Sequence, residues 1–224
     1  INKFALGFSD VYRDGLYKYL KSKGYKDEEL KNSGLVKFDE KYGASDQFWN
    51  RVMYPIVDTN NRVIGFGGRV MGDGKPKYIN TQETLVFDKS RNLYGLNLAK
   101  KSRRSGIIFC EGYMDVISMH QAGFDNAVAS LGTALTPGQV NLIKRYTDHV
   151  YLAYDSDEAG TKAALRALEI MREFEMPARV ISLKPYKDPD EFIKAEGTES
   201  FERRIEQAQS GTMFEIGILE HNYN

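Results

Sequence analysis

Short apolar segments alternate with amphipathic segments between residues 107 and 195, and this alternation constrains the fold more than any other feature. Residues 107–110 read Ile-Ile-Phe-Cys, an apolar run typical of a buried strand. After it the pattern predicts helices at 113–121, 137–146, 158–174 and from 191, and strands at 126–130, 149–154 and 178–183. Strands that alternate with helices predict a mainly parallel sheet flanked by helices.

The first half of the chain is less regular. Residues 52–57 and 63–68 read as two strands joined through Asp58-Thr59-Asn60-Asn61, which indicates a hairpin. We therefore predict three parts. They are a basic α+β subdomain at 1–105, an α/β domain at 106–200 and the start of a helical subdomain at 201–224.

The net charge of zero hides an asymmetry between the two halves of the 224-residue chain. Residues 1–105 hold 20 Lys and Arg against 12 Asp and Glu, whereas residues 106–224 hold 11 against 19. One half could hold a polyanion while the other gathers metal cations. The alternative is two solvated surfaces of unrelated sign, and the charge count alone does not choose between them.

Several function classes are disfavoured by what the sequence lacks. No apolar run approaches the roughly 20 residues of a membrane span, and no secretory leader opens the chain. The single cysteine, Cys110, excludes an intrachain disulfide and disfavours zinc, and its apolar run indicates a buried hydrophobe rather than a nucleophile. A cytoplasmic location fits. The first residue is Ile1, so we interpret the sequence as part of a longer protein.

Acidic side chains come directly after two of the predicted strands and just beyond a third. They are Glu111, Asp155, Asp157, Asp188 and Asp190. Ligands of open α/β sheets bind outside the carboxyl ends of the strands, so these groups should meet at one edge. Two other acids, Asp125 and Asp148, precede strands and should lie at the opposite edge, where we assign them no role.

Carboxylates gathered at one edge repel each other unless a cation lies among them. A donor set of oxygen atoms favours Mg²⁺ or Mn²⁺, and paired hard cations suit in-line displacement at phosphorus. Each acidic pair taken alone is more often a turn or a helix cap. It is their joint placement after strands that favours an active centre joining or breaking phosphodiester bonds, built from Glu111, Asp155 and Asp157.

Basic and aromatic residues are interleaved in the first half. Arg69 comes directly after the glycine-rich residues 65–68 of a predicted strand. Lys77, Tyr78 and Lys89 come later in the chain. Basic groups for phosphates and aromatic rings for bases are what a single-stranded nucleic-acid surface needs. The alternative is a glycine-bent strand with solvated lysines and core aromatics, which composition alone slightly favours. We assign Phe48 and Trp49 to the core.

Four motifs of the second half together resemble a Toprim domain. They are Glu111-Gly112-Tyr113-Met114-Asp115, Ala129-Ser130-Leu131-Gly132-Thr133, the Asp155–Gly160 segment and Lys187-Asp188-Pro189-Asp190-Glu191. Upstream, the segments 51–56, 63–69, 76–80 and 93–96 resemble motifs of the bacterial DnaG-type primase family. The resemblance covers about residues 1–205. Ser156, where the family often has Gly, is a mild departure.

This resemblance implies the synthesis of RNA primers on single-stranded DNA from ribonucleoside triphosphates. It implies two or more Mg²⁺ or Mn²⁺ ions and no zinc in this part of the protein. It also implies a replicative helicase as partner, through a C-terminal domain outside this sequence, and no membrane.

The resemblance also assigns residues. Glu111, Asp115, Asp155 and Asp157 match catalytic acids, and Glu111, Asp155, Asp157, Asp188 and Asp190 match acids at the metals. Positions linked to nucleotide or template binding are matched by Arg51, Arg69, Lys77, Tyr78, Asn80 and Lys89. Two alternatives stay open. One is a Toprim nuclease or topoisomerase that cleaves strands, and the other is a non-catalytic nucleotide-sensing module.

Overall fold

The structure, a computed structural model, describes residues 1–223 and divides into two compact units, residues 1–88 and 89–224. In the first unit the elements are β1 (Gly7–Ser9), α1 (Gly15–Ser22), α2 (Asp27–Asn32), β2 (Val36–Asp39), β3 (Gly43–Asp46), β4 (Arg51–Val57), β5 (Val63–Val70) and β6 (Tyr78–Asn80). The strands β1, β4, β5 and β6 form an antiparallel sheet in that order, and β2 pairs with β3.

The predicted hairpin of the first unit is present as β4 and β5. Its turn is stabilised by Asp58, whose Oδ1 accepts hydrogen bonds from the amides of Asn60 and Arg62 at 2.8 Å each. Acceptance of turn amides by an Asp side chain is a common way to close a short connection. The hairpin places Arg69 on β5 next to β6.

The second unit contains a five-stranded sheet in its described part. Its elements are α3 (Leu96–Ala99), β7 (Ile107–Cys110), α4 (Tyr113–Gln121), β8 (Ala127–Ala129), α5 (Pro137–Ile143), β9 (Val150–Ala153), α6 (Glu158–Glu173), β10 (Ala178–Val180), α7 (Pro189–Glu206, interrupted at Gly197), β11 (Gln209–Ser210) and α8 (Gly211–Tyr223). The strand order is β11-β10-β9-β7-β8, parallel except for β11. The α/β fold predicted from the alternating pattern is therefore confirmed.

Both faces of this sheet are covered by helices. Phe109 of β7 packs in one core with Ala164 and Leu168 of α6 and Val140 of α5. On the other side, the helices α4 and α7 contact each other. The whole of β7 is buried because a parallel strand between two helical layers has no solvent face.

Residues 89–105 pack within the second unit. Leu93, Leu96 and Ala99 belong to the core that surrounds Phe109, and Tyr94 pairs with Ala129 at the edge of the sheet. The division between the two compact units falls between residues 88 and 89, whereas we placed the boundary of the first subdomain at residue 105. Within residues 1–223, no helix is both long and apolar enough to cross a membrane.

Candidate active site

The carboxyl ends of β7 and β9 bring two predicted catalytic acids together. The strands are neighbours, with Cys110 opposite Ala153, so Glu111 and Asp155 emerge side by side. The backbone amide of Asp155 donates a hydrogen bond to Glu111 Oε1 at 2.9 Å. Both side chains are partly buried. The sequence order alone separates them by 44 positions, and the strand pairing removes that separation.

A third segment reaches the same edge after β10. The amide of Ser156 donates to the carbonyl of Lys187 at 2.7 Å, which joins the loop after β9 to the start of α7. Lys187 Nζ lies 3.8 Å from Asp155 Oδ2. The hydrogen bond between Ser156 and Lys187 therefore brings the Asp188 segment beside the loop that carries Asp155 and Asp157.

Three of the predicted acids also cap helices. Asp157 Oδ1 accepts from the amide of Gly160 at 2.9 Å, and Asp188 Oδ1 accepts from the amide of Glu191 at 2.8 Å. Asp115 Oδ2 accepts from the amide of Gly112, also at 2.9 Å. Each cap occupies one carboxylate oxygen, and a carboxylate has two oxygens, so a cap does not prevent a second role.

Asp190 differs from the other acids because both of its oxygens have side-chain donors. Ser118 Oγ donates to Oδ1, and Lys194 Nζ lies 2.5 Å from Oδ2. Burial raises the pKa of Asp190, but these two contacts outweigh it and the pKa is lowered. The Ser118 contact ties α7 to α4, whereas the Lys194 contact lies within α7.

The acids at this edge hold each other's pKa values up. Burial and the charges of Asp155 and Asp188 raise the pKa of Asp115 to about 7. Burial and the charge of Glu111 raise the pKa of Asp155 to about 6, against the opposing charge of Lys187. Burial also raises the pKa of Glu111, although the amide of Asp155 lowers it. Mutual repulsion among partly buried carboxylates is the electrostatic condition that a divalent cation relieves.

The donor chemistry at this edge fits a hard divalent cation. The carboxylates of Glu111, Asp155 and Asp157 supply oxygen, the donor that Mg²⁺ and Mn²⁺ prefer. Among residues 1–223, however, no group of three or more His, Cys, Asp or Glu side chains is already arranged to hold a metal ion. One oxygen of Glu111 accepts from the amide of Asp155, and one oxygen of Asp157 accepts from the amide of Gly160.

Gly160 is a site residue that the pattern analysis did not assign. A Cβ atom there would lie 2.1 Å from the carbonyl oxygen of Asp155 and 2.7 Å from Glu111 Oε1. A side chain at this position would therefore displace one or both of the acids. The only sequence signal was the Ala-Gly pair that follows Asp157 within the Toprim motif.

The two acids that we left without a role lie where the strands begin. Asp125 accepts a hydrogen bond from Ser102 Oγ at 2.5 Å, and Asp148 Oδ1 lies 2.6 Å from His149 Nδ1. Because β7, β8 and β9 run parallel, residues before these strands lie at the edge opposite Glu111. Cys110 is fully buried, and burial raises the pKa of its thiol, which agrees with a packing role.

The basic residues of the first unit fall into two groups. Arg51 is buried, and its guanidinium donates to the carbonyls of Gly68, Pro76 and Lys77 at 3.1–3.4 Å. Its side chain therefore holds the segment before β6 against β5. A direct contact with a nucleotide stays a prediction for Arg51 and would require these bonds to exchange.

Arg69 and Tyr78 face each other on paired strands. They are register partners of β5 and β6, and Asn80 pairs with Gly67 two residues further along. Tyr78 is exposed, and Lys77 Nζ lies 6.0 Å from the centre of its ring. This combination of exposed ring and cations is suited to a nucleotide or a single strand. Lys89 belongs to the second unit, where its carbonyl accepts from Gln139 Nε2.

A second aromatic and basic surface lies in the first unit. The guanidinium of Arg13 stacks over the ring of Trp49, 4.4 Å from the centre of the ring, and both line a cavity of about 1210 Å³. Phe48 is buried, as expected. The core assignment of Trp49 is wrong, because its ring is only partly buried and borders this cavity.

Two family models match the chain. The model described as "DNA primase catalytic core, N-terminal domain" matches residues 1–100, and the one described as "Toprim-like" matches residues 108–193. The solved "E. coli primase catalytic core" is 39% identical with a TM-score of 0.90, covering 98% of this chain and 72% of that one. The chain belongs to the DnaG-type primase family. The family predicted from the sequence motifs is thereby confirmed.

The curated relatives that match the chain are longer than the chain itself. The DNA primase of Clostridium acetobutylicum is 46% identical over 100% of this chain and 38% of its own length. That of Escherichia coli K12 is 40% identical over 98% of this chain and 39% of its own length. A solved structure described as the DnaG primase catalytic domain bound to ssDNA is 40% identical with a TM-score of 0.88, covering 98% of this chain and 70% of that one. The chain thus spans less than half the length of these curated relatives.

Proposed function

We propose that this chain is the catalytic core of an enzyme that synthesises RNA primers on single-stranded DNA by metal-dependent nucleotidyl transfer. The observation that carries the proposal is the meeting of Glu111 and Asp155 at the carboxyl edge of the sheet, with Asp157 on the same loop, in a primase-type fold. The solved relative bound to single-stranded DNA supports the choice of template. Ribonucleoside triphosphates are the substrates that this activity requires.

In this proposal Glu111, Asp155 and Asp157 hold Mg²⁺ or Mn²⁺, and two or more such ions would stabilise the attacking and leaving oxygens at phosphorus. The chain's own residues position these acids. The amide of Asp155 orients Glu111, and the amide of Gly160 orients Asp157. Asp115 and Asp188 add negative charge beside Asp155, which strengthens the attraction for cations.

The first unit supplies candidates for contact with nucleotide or template. Arg69 lies on β5, Tyr78 and Asn80 lie on β6, and Lys77 directly precedes β6. We assign these four residues to phosphate and base contacts. The Arg13–Trp49 pair offers a stacking surface within its own cavity. In the second unit Lys89 is assigned to triphosphate charge. For the complete protein we expect a bacterial cytoplasmic location and a replicative helicase as partner.

The proposal is tested by template-directed synthesis with labelled ribonucleotides on single-stranded DNA, in Mg²⁺ and in Mn²⁺, with the complete protein. Asp155→Asn should reduce synthesis by at least about 100-fold while the protein stays folded, because it weakens the stabilisation of charge at the reacting centre. Asp148→Asn, the same change at the opposite edge, should leave synthesis intact. Full synthesis by Asp155→Asn in Mg²⁺ contradicts the metal assignment, and a covalent protein–DNA adduct would favour strand cleavage instead.

A further inference from the structure

Lys187 is a basic side chain that lies among the acids at the carboxyl edge of the sheet. We call this edge, with Glu111, Asp155 and Asp157, the acidic edge. Its Nζ lies 3.8 Å from Asp155 Oδ2. Among the ion pairs of the described residues, this is the only one that involves Asp155, Asp157 or Glu111. Lys187 directly precedes Asp188 in the fourth Toprim-like motif, where no role was assigned to it.

The backbone of Lys187 is fixed from two sides. Its carbonyl accepts from the amide of Ser156, and its own amide donates to Glu191 Oε2, both at 2.7 Å. The first bond ties Lys187 to the loop between Asp155 and Asp157, and the second ties it to the first turn of α7. The ammonium group is therefore tethered within reach of Asp155.

The two partners differ in hydration. The side chain of Asp155 is only 20% exposed, whereas that of Lys187 is 61% exposed. A carboxylate held in a partly desolvated position gains more from a nearby cation than one in open water does. The flexible, hydrated ammonium can leave without a large desolvation change. Lys194, the next cation along the motif, is already held by Asp190 at 2.5 Å.

We propose that Lys187 is an intrinsic counter-ion of the acidic edge, which neutralises Asp155 until a divalent cation binds there and displaces it. The inference rests on the proposed metal site. Lys187 then acts as a positioning residue that competes with the metal for Asp155. Its presence lowers the affinity for a divalent cation and stabilises the metal-free protein.

The test is a titration with Mn²⁺ alone at low ionic strength, following the EPR signal of free Mn²⁺. Lys187→Met, which keeps the chain length and removes the charge, should bind Mn²⁺ about five- to tenfold more tightly than wild type, a typical size for coupling between two sites. Lys187→Arg should bind like wild type. Lys184→Met makes the same change three residues earlier on an exposed side chain and should also leave the affinity unchanged. Added salt should reduce the difference in Mn²⁺ affinity between Lys187→Met and wild type.

Thermal unfolding in EDTA gives a second readout. Lys187→Met should unfold at a lower temperature than Lys184→Met, and saturating Mn²⁺ should remove the difference. The inference is overturned if Lys187→Met binds Mn²⁺ no more tightly than Lys184→Met does. Asp155→Asn separates the two proposals. If it binds Mn²⁺ like wild type, the metal site itself is wrong, and the counter-ion inference fails with it. If it loses Mn²⁺ binding while Lys187→Met matches Lys184→Met, only the counter-ion inference fails.

Discussion

At the scale of single residues, the acidic edge depends on the close approach of the first turn of α6 to Asp155 and Glu111. Asp155 and Glu111 are joined by one hydrogen bond, and the first turn of α6 passes directly over both of them. Gly160 makes this approach possible because it has no Cβ atom. A small residue in the first turn thus matters to the acids as much as a charged one does.

Gly160→Ala should lower both stability and primer synthesis. The added Cβ would lie 2.1 Å from the carbonyl oxygen of Asp155, so the loop must shift, at a cost of about 1–3 kcal/mol for overpacking. The matched control is Gly217→Ala in α8, where a Cβ meets nothing within 4 Å and helix propensity should add about 0.5–1 kcal/mol. Urea unfolding and synthesis assays check both. Wild-type behaviour of Gly160→Ala would show that the edge tolerates displacement.

Asp115→Asn should stabilise the metal-free protein at pH 8 and lose that advantage near pH 4. In the folded protein the pKa of Asp115 is raised from 3.8 to about 7, first by burial and then by Asp155 and Asp188. Ionisation therefore opposes folding, and its cost grows as the pH rises from about 4 to about 7. Asparagine carries no charge and can still accept the hydrogen bond from Gly112.

Urea unfolding in EDTA at several pH values measures this effect of Asp115→Asn. The variant should be more stable than wild type at pH 8, less so at pH 6, and equal to it near pH 4. Saturating Mn²⁺ should reduce the difference in stability between the variant and wild type at pH 8, because the cation compensates the charge of ionised Asp115 in wild type. If the difference in stability between the variant and wild type does not change with pH, Asp115 is not held in an unfavourable ionised state.

At the scale of elements, caps and side-chain clamps join segments that are distant in sequence. Thr136 begins α5 by accepting from the amide of Gln139 at 3.2 Å, and Gln139 Oε1 accepts from the amide of Thr136 at 3.1 Å. The fully buried Gln139 also donates to the carbonyls of Lys89 and Asn92 at 2.9 and 3.0 Å. The start of α5 therefore holds the segment that carries Lys89.

Gln139→Leu should destabilise the second unit by about 2–4 kcal/mol, since it removes three hydrogen bonds of a buried side chain, one to the amide of Thr136 and two to the carbonyls of Lys89 and Asn92. Amide exchange of residues near 89–92 should accelerate, because the clamp on that segment is lost. Asn141→Leu is the control on the same helix, at an exposed position, and should change stability by no more than about 0.5 kcal/mol. Equal losses in both variants would contradict a clamping role for Gln139.

At the scale of the whole molecule, the chain forms two compact units, and the second begins earlier than the composition suggested. We predicted that the first part of the chain extends to residue 105. Instead, the preceding residues Leu93, Leu96 and Ala99 contribute to the core of the second unit. Hydrophobic burial decides this assignment, because residues 93–99 pack in the same cluster as β7 and α6.

A fragment that begins at Lys89 should therefore fold cooperatively, and one that begins at Gly106 should be less stable by several kcal/mol. The shorter fragment lacks Leu93, Leu96 and Ala99, and it also lacks Tyr94, which pairs with Ala129. Losing several buried apolar side chains costs about 1.5–3 kcal/mol for each large one. Urea unfolding followed by circular dichroism compares the two. Equal midpoints would place the boundary where the composition suggested.

The sequence by itself determined the order and type of the elements from β7 to the start of α7, but it did not predict the short strand β11. Period-two and period-3.6 patterns follow directly from strand and helix geometry, so they can be read locally. The placement of Glu111 and Asp155 at one edge also followed, since parallel strands end on the same side. Family membership followed from the motifs.

Only the tertiary structure decided which groups touch. It placed Gly160 against Asp155, Lys187 beside the same carboxylate, and Arg51 among backbone carbonyls. It also gave Asp190 two side-chain donors of its own. Most of these contacts join residues far apart along the chain, and their distances depend on strand pairing and helix packing. Local patterns therefore indicate which residues reach the acidic edge, while packing determines which contacts each of them makes there.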